Sequence, residues 1–517
     1  IVDRVASGSV SQYAFSRTME ALGDLDGDGA ADFAIGDPLA LGGGLVRVFS
    51  GQSRNLLYSI LPIVGGYDCF GACISMIGDL DGDGINDVLV GAPQIGPANQ
   101  SGTGYIGVYS GVNGSLLFTD SGYSAGDYFG WCVSPIGDID QDGVAEFAVG
   151  APEIFHLPNP QGYVQIYSGD QLTVIATLPG QVNDRNFGQS IIRLDDYDAD
   201  GIDDLLIGSP GSASGSGALH AFSGASLTLT QSLYGGQMLG LFGKMMARVG
   251  DVNGDGIGDF AVSSPGYSIP GGVFTHEGRV QVFAGDDLSI LHSFQGTQLG
   301  MRLGEGLSGL GDVDGDLVPD FLMGSQRQGI THAGESIVRS GSTGNILFSW
   351  RGDQEVSNLN ASVAGAGDIN GDGFADFMIR TEDAVLMCSI MGARKYDTSL
   401  GGNQVLDLRW RRPPMGPLSA GAIEFDGAQP GSGCAALIGV NPARFSAGGF
   451  EILVDVTPGS YFFHTFGYPM TGVFTFPIDL KTPALSGSSL YLQTFAFHTG
   501  MPSGLAISNG LELRFKN

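Results

Sequence analysis

One acidic pattern, D-x-[DN]-x-D-x-x-x-[DE], recurs seven times within the first 400 residues of this 517-residue chain. Its copies begin at Asp24, Asp79, Asp138, Asp196, Asp251, Asp312 and Asp368, so successive spacings are 55, 59, 58, 55, 61 and 56 residues. A period that regular is the mark of a repeat architecture, in which each unit buries its apolar face only against its neighbours.

The flanks repeat as well. Phe-Gly precedes most copies, at Phe70-Gly71, Phe129-Gly130, Phe187-Gly188 and Phe242-Gly243, with Phe15-Ser16 and Leu303-Gly304 as variants. A short apolar run follows each copy, such as Phe33-Ala34-Ile35 or Val88-Leu89-Val90, and then a Gly-x-Pro turn such as Gly91-Ala92-Pro93 or Gly150-Ala151-Pro152. A third segment ends in an aromatic residue, a small residue and Gly, as in Tyr109-Ser110-Gly111, and a fourth follows, as in Ser115-Leu116-Leu117-Phe118. With 86 glycines interrupting almost every long window, helices have little room. Four short strands per repeat predict one blade of a β-propeller.

The order Phe-Gly, acidic loop, Gly-Ala-Pro resembles the FG-GAP repeat of integrin α-subunit heads and of many secreted bacterial proteins. The resemblance spans residues 1–400 and implies an all-β, seven-bladed propeller. The last repeats have drifted, with Gly324-Ser325-Gln326 and Arg380-Thr381-Glu382 in place of Gly-Ala-Pro. Closure follows from alignment, because Ile1–Ser16 matches Leu56–Gly71 without gaps, a fourth strand with no blade before it. Pairing that strand with the last blade, after Val385–Ile390, would close the ring and remove exposed sheet edges.

Oxygen side chains at loop positions 1, 3 and 5, a turn at position 6, a backbone carbonyl at 7 and an acid at 9 suit a hard cation that takes six to eight oxygens. The lack of His and Cys argues against zinc or copper. Carried over from the family, the side-chain ligands are Asp24, Asp26, Asp28 and Asp32, then Asp79, Asp81, Asp83 and Asp87, then Asp138, Asp140, Asp142 and Glu146. The fourth loop supplies Asp196, Asp198, Asp200 and Asp204, and the fifth Asp251, Asn253, Asp255 and Asp259. The sixth supplies Asp312, Asp314, Asp316 and Asp320, and the seventh Asp368, Asn370, Asp372 and Asp376. The carbonyl ligands are Ala30, Ile85, Val144, Ile202, Ile257, Val318 and Phe374. Up to seven Ca²⁺ ions are expected. Leu317 replaces Gly at position 6 of the sixth loop, which predicts a weakened site or a changed turn there.

These loops hold 26 of the 54 acidic residues and so account for much of the formal charge of −31. Such a surface repels phosphate backbones and anionic lipid, and no apolar run approaches bilayer length, so neither nucleic acid nor a membrane span is expected. An N-terminus at Ile1-Val2-Asp3 is what removal of a signal peptide would leave, and a secreted or cell-surface location is expected. The five cysteines (Cys69, Cys73, Cys132, Cys388 and Cys434) form no CxxC pair, and Cys73 and Cys132 occupy equivalent repeat positions that read as small core residues.

Beyond residue 400 the repeat stops. Strand-like segments separated by Gly, Pro, Ser and Asn predict a β-sandwich over 401–517. No nucleophile elbow, Walker loop or HExxH motif occurs, so the chain is read as non-catalytic. Arg351-Gly352-Asp353 spells an adhesion tripeptide, but Gly352 falls where other repeats place Gly after the fourth strand. Two partner classes stay open. One is a protein or glycan ligand; the other is further copies of the chain, in a layer or filament.

Overall fold

The computed structural model describes residues 2–7 and 18–388 apart from 96–101, 154–160, 271–273, 327–333, 352–361, 370–373 and 381–383, together with short strands beyond 400. Two compact units result, Ile1–Val405 and Leu406–Asn517.

The first unit is a propeller of seven four-stranded antiparallel blades. Blade 1 runs Thr18–Gly23, Asp32–Asp37, Leu45–Phe49 and Leu56–Ile60. Blade 2 runs Cys73–Met76, Val88–Ala92, Tyr105–Tyr109 and Leu116–Ser121. Blades 3 to 6 have first strands Cys132–Gly137, Ser190–Leu194, Met246–Gly250 and Leu303–Gly311, and second strands Glu146–Ala151, Asp204–Ser209, Asp259–Ser264 and Asp320–Ser325. Blade 7 has Val363–Gly367, Asp376–Arg380 and Ala384–Cys388, and its fourth strand is the N-terminal Val2–Ser7. That strand pairs antiparallel with Ala384–Cys388, Val2 opposite Cys388 and Ser7 opposite Ala384, as the gapless alignment predicts.

The core lies between blades. Second strands are buried along their whole length, so their alternating side chains serve two neighbours at once. In blade 1, Phe33 and Ile35 join Met378, Val385 and Met387 of blade 7, whereas Ala34 joins Val88 and Val90 of blade 2. This is why the second strands read as continuous apolar runs. The first strands touch one another around the whole circle, blade 7 against blade 1 included, and form the innermost layer.

The Phe-Gly and Gly-x-Pro motifs are one joint seen from two sides. Phe70, Phe129 and Phe187 are fully buried, and the N–H groups of Gly71, Gly130 and Gly188 donate to the carbonyls of Gly91, Gly150 and Gly208 at 3.0–3.1 Å. Phe70 also donates to Gly43 of the preceding blade at 3.0 Å. The joint therefore registers each blade on the last.

In the second unit, Asp407–Arg411 pairs with Ala422–Asp426, Ile452–Thr457 with Ser460–His464, and Ser489–Leu492 with Leu511–Arg514, all antiparallel. The packing expected of a sandwich over 401–517 lies outside the described residues.

Candidate metal centre

Each acidic loop joins the first strand of a blade to the second, and in blades 1 to 6 its conformation is held by its own backbone. In blade 1, Asp24 Oδ1 accepts the N–H groups of Gly27 and Asp28 at 2.7 and 3.1 Å, and Oδ2 accepts that of Gly29 at 2.9 Å. Asp28 Oδ1 accepts the N–H of Ala30 at 2.9 Å. Ile85, Val144, Ile202, Ile257 and Val318 donate in the same way to Asp83, Asp142, Asp200, Asp255 and Asp316. These are local Asx-type turns, which is why Asp and Gly dominate the sequence here.

The ninth position does something different. Asp32 opens the second strand, is fully buried, and accepts Leu25 and Asp26 N–H on Oδ2 (2.7 and 3.1 Å) and Gly51 N–H on Oδ1 (2.8 Å). Gly51 lies in the turn between the third and fourth strands. The same clasp joins Gly111 to Asp87, Gly169 to Glu146, Gly224 to Asp204, Gly285 to Asp259 and Gly341 to Asp320. In the seventh loop Ile369 donates to Asp376. These partners are the Gly of the aromatic-small-Gly motif. Sequence reading saw the motif but not its purpose, because the two halves lie about 20 residues apart. Only Gly fits: a Cβ on Gly51 or Gly224 would sit 1.8 or 1.9 Å from the carbonyl oxygen of Ala31 or Asp203.

Burial raises the carboxyls of Asp32, Asp87, Glu146, Asp204 and Asp259 above their ordinary range, against the opposing pull of their backbone N–H bonds. Asp320 is pushed up to about 7, chiefly by burial, with the nearby Asp314 and Asp316 adding to it. At the first position of the second loop the opposite holds. The N–H of Gly84 and its neighbours keep Asp79 below the usual carboxylate range.

Carboxylate oxygens come within 4.8 Å of one another in five loops: Asp138, Asp140, Asp142 and Glu146; Asp24, Asp26 and Asp32; Asp79, Asp81 and Asp87; Asp196, Asp198 and Asp204; and Asp312, Asp314 and Asp316. Asp28, Asp83, Asp200 and Asp320 stand outside these groups; Asp28 and Asp200 turn an oxygen to the hydroxyls of Ser50 (3.0 Å) and Ser223 (3.3 Å). In the fifth loop Asn253 Nδ2 donates to Asp255 Oδ2 at 2.7 Å, and Asp251 and Asp259 keep the bonds seen elsewhere. Asn370 and Asp372 of the seventh loop lie outside the described residues. The gathered donors are all oxygen and mostly anionic, which fits a hard divalent cation.

Leu317 keeps the ordinary turn. Its φ is 71°, and its N–H reaches Asp312 Oδ2 at 3.0 Å, just as Gly29 reaches Asp24. Of the two outcomes expected at the sixth loop, the changed turn is excluded. Position 4 is also left-handed, at Gln141 (φ 63°) and Ala199 (φ 59°) in the third and fourth loops, a demand that went unread in the sequence.

The FG-GAP repeat family matches residues 75–109 and 247–283, each from the first strand through the acidic loop into the third. Integrin alpha-V of Gallus gallus is 29% identical over 208 residues, which is 37% of this chain and 20% of that protein. Integrin alpha-PS2 of Drosophila melanogaster is 31% identical over 224 residues, 39% of this chain and 16% of that protein. The propeller is an integrin-like FG-GAP propeller. The FG-GAP match covers a minority of the chain, and the chain spans a fifth or less of the curated relatives it matches. A solved structure, the Dos1 propeller, aligns at TM-score 0.42 and 13% identity over 75% of this chain and 94% of its own, a likeness that says nothing about function.

Proposed function

We propose that the chain is an extracellular, calcium-stabilised interaction module whose acidic loops rigidify one end of an FG-GAP propeller so that the other end can receive a protein ligand. The loops would hold Ca²⁺ through positions 1, 3, 5 and 9 and the carbonyl of position 7. Bound ions would offset the repulsion among four clustered acids and stabilise the native state by mass action.

One observation carries the reading. In an antiparallel blade, the acidic loops and the turns between third and fourth strands share one end, and all other connections share the opposite end. Most of the large exposed apolar side chains in loops lie at that opposite end, among them Leu41 (82% exposed), Val64 (69%), Tyr67 (55%), Tyr123 (67%), Val182 (77%) and Leu299 (66%), against Leu317 and Val112 at the acidic end. Leu41 and Tyr67 belong to one patch, since Tyr67 N–H donates to Gly42 O at 2.8 Å. An apolar end surface facing away from the charge is what a protein partner would cover. The end is also built from loops on a rigid scaffold, where recognition is usually placed.

Arg351 ends the fourth strand of blade 6 and pairs with Glu335 at 2.9 Å, so the strand engages its guanidinium. Gly352 and Asp353 lie outside the described residues.

The test uses the intact chain on beads in calcium, offered to immobilised extracellular proteins, a glycan array and the chain itself. A protein hit that the triple variant Leu41→Ser, Val64→Ser, Tyr67→Ser loses at unchanged Tm supports the reading. A glycan hit indifferent to the triple variant would make the chain a lectin. Self-capture with ordered polymers in the electron microscope would make it a building block.

A further inference from the structure

The start of the first strand is a clasp between blades. Thr18 Oγ1 of blade 1 donates to Gly71 O of blade 2 at 2.6 Å, and Ser190 Oγ of blade 4 donates to Gly243 O of blade 5 at 2.7 Å. Counting from the acidic loop, the same position is Cys73 in blade 2 and Cys132 in blade 3. Cys73 Sγ sits against the peptide that follows Cys132: it accepts the N–H of Val133 at 3.4 Å and faces Val133 O at 3.8 Å. Thiols are poor hydrogen-bonding substitutes for hydroxyls, so this seam has the weaker non-covalent clasp. It is also the one place among these four blades where two thiols follow each other around the ring.

We propose that Cys73 and Cys132 are an oxidisable pair that forms a disulfide between the innermost strands of blades 2 and 3. Both residues are half-buried, whereas Cys69 and Cys388 are 4% and 3% exposed. Burial also pushes the Cys388 thiol up to about 12, which leaves it inert. The neighbouring Cys132 thiol hydrogen-bonds to Cys73 and holds it below the ordinary thiol range, while Cys132 itself is raised by the same bond. Cys73 Sγ also accepts the Val133 N–H, a bond that favours its thiolate, and it is the attacking sulfur.

With a low-molecular-weight disulfide as oxidant the step balances. The Cys73 thiolate attacks one sulfur of the oxidant, breaks its S–S bond and expels one small thiolate. Cys132, giving up its proton, then attacks Cys73 Sγ in the mixed disulfide and expels the second. Two protein thiols are oxidised, one small disulfide is reduced to two thiols, and the two protons pass to those products. The bond closes a loop of about 60 residues. A constraint of that length raises Tm by about 5 °C in a chain of this size.

The experiment incubates the whole native chain with oxidised glutathione at pH 8, alkylates the remaining thiols, and maps peptides without reduction. The expected product is one cross-linked pair joining Cys73 to Cys132, two hydrogens lighter than its parts, with a Tm rise that dithiothreitol reverses. Recovery of both cysteines as alkylated or separately glutathionylated peptides overturns the proposal. In folded Cys132→Ser the Tm rise should vanish and glutathione should remain on Cys73; a rise that persists there also overturns it. Should that variant not fold, the wild-type peptide map decides alone.

Discussion

The two ends of the propeller are built on opposite plans. At the acidic end blades 1 to 6 repeat one device: a loop wired to its own backbone, and a buried acid tied to a glycine about 20 residues away. At the other end the Phe-Gly joint repeats, but the loops around it differ from blade to blade and expose Leu41, Tyr123 and Val182. Where short-range hydrogen bonding fixes the backbone, the sequence has little freedom. Where a rigid joint already fixes the blade, loops are free to vary and to recognise.

The largest expected effect breaks the acidic end alone. Excess EDTA should lower Tm by on the order of 10 °C or more, since several linked sites each contribute a mass-action term. A melting curve unchanged by chelation would remove calcium from the account. Acidity then gives the two states opposite signs. In the ion-free chain the ninth-position acids have raised native values, Asp320 up to about 7 from 3.8. A raised native pKa means the folded state holds its proton more tightly, so the cost of ionisation is absent below about pH 4, grows up to about 7 and is then complete. For Asp320 that cost is roughly 4 kcal/mol. The EDTA-treated chain should therefore gain stability as pH falls from 7.5 to 5.5, whereas the calcium-loaded chain should lose it as protons compete with the ion. Two melting series with the same slope would contradict this.

Two glycines in one site separate packing from conformation. Gly224→Ala drives a Cβ to 1.9 Å from Asp203 O and should cost about 3 kcal/mol by overpacking. Gly201→Ala, 23 positions earlier, meets nothing within 4 Å but sits at φ 94°, and should cost only about 1 kcal/mol. Urea denaturation of both variants in calcium ranks them. Equal losses would mean that the close approach of Gly224 to the second strand is not rigid.

How far the sequence could be read follows the same division. Phased acids, Phe-Gly joints and the orphan fourth strand at Ile1–Ser16 disclosed blade count and ring closure, because each is a local demand repeated in register. The tie from Gly51 to Asp32 was invisible, since a turn glycine and a strand acid give no sign of meeting until the third strand lies beside the second. The left-handed Gln141 and Ala199 escaped because neither residue type signals that conformation. The turning of Asp28 towards Ser50 was hidden for the same reason as the Gly51 tie. The apolar end is a property of loops from several blades assembled around an axis, and no window of sequence contains it.

The smallest expected effect sharpens the contrast at its most exposed exception. Leu317 is an apolar residue, 87% exposed, at the acidic end, and it holds a left-handed backbone that costs a Leu about 1 kcal/mol. Leu317→Gly removes that strain, but Gly also loosens the unfolded chain, which takes back about 0.5 kcal/mol. The net gain should be a few tenths of a kcal/mol, read as a Tm rise of about 1 °C or less with tighter calcium binding at the sixth loop. Because the turn and the Asp312 bond are already formed in the Leu317 chain, no larger gain is available. Partner binding should not change, since the residue lies on the wrong end of the barrel of blades. A Tm drop, or a loss of partner binding, would show that Leu317 is covered in the working protein and that the acidic end also takes part in recognition.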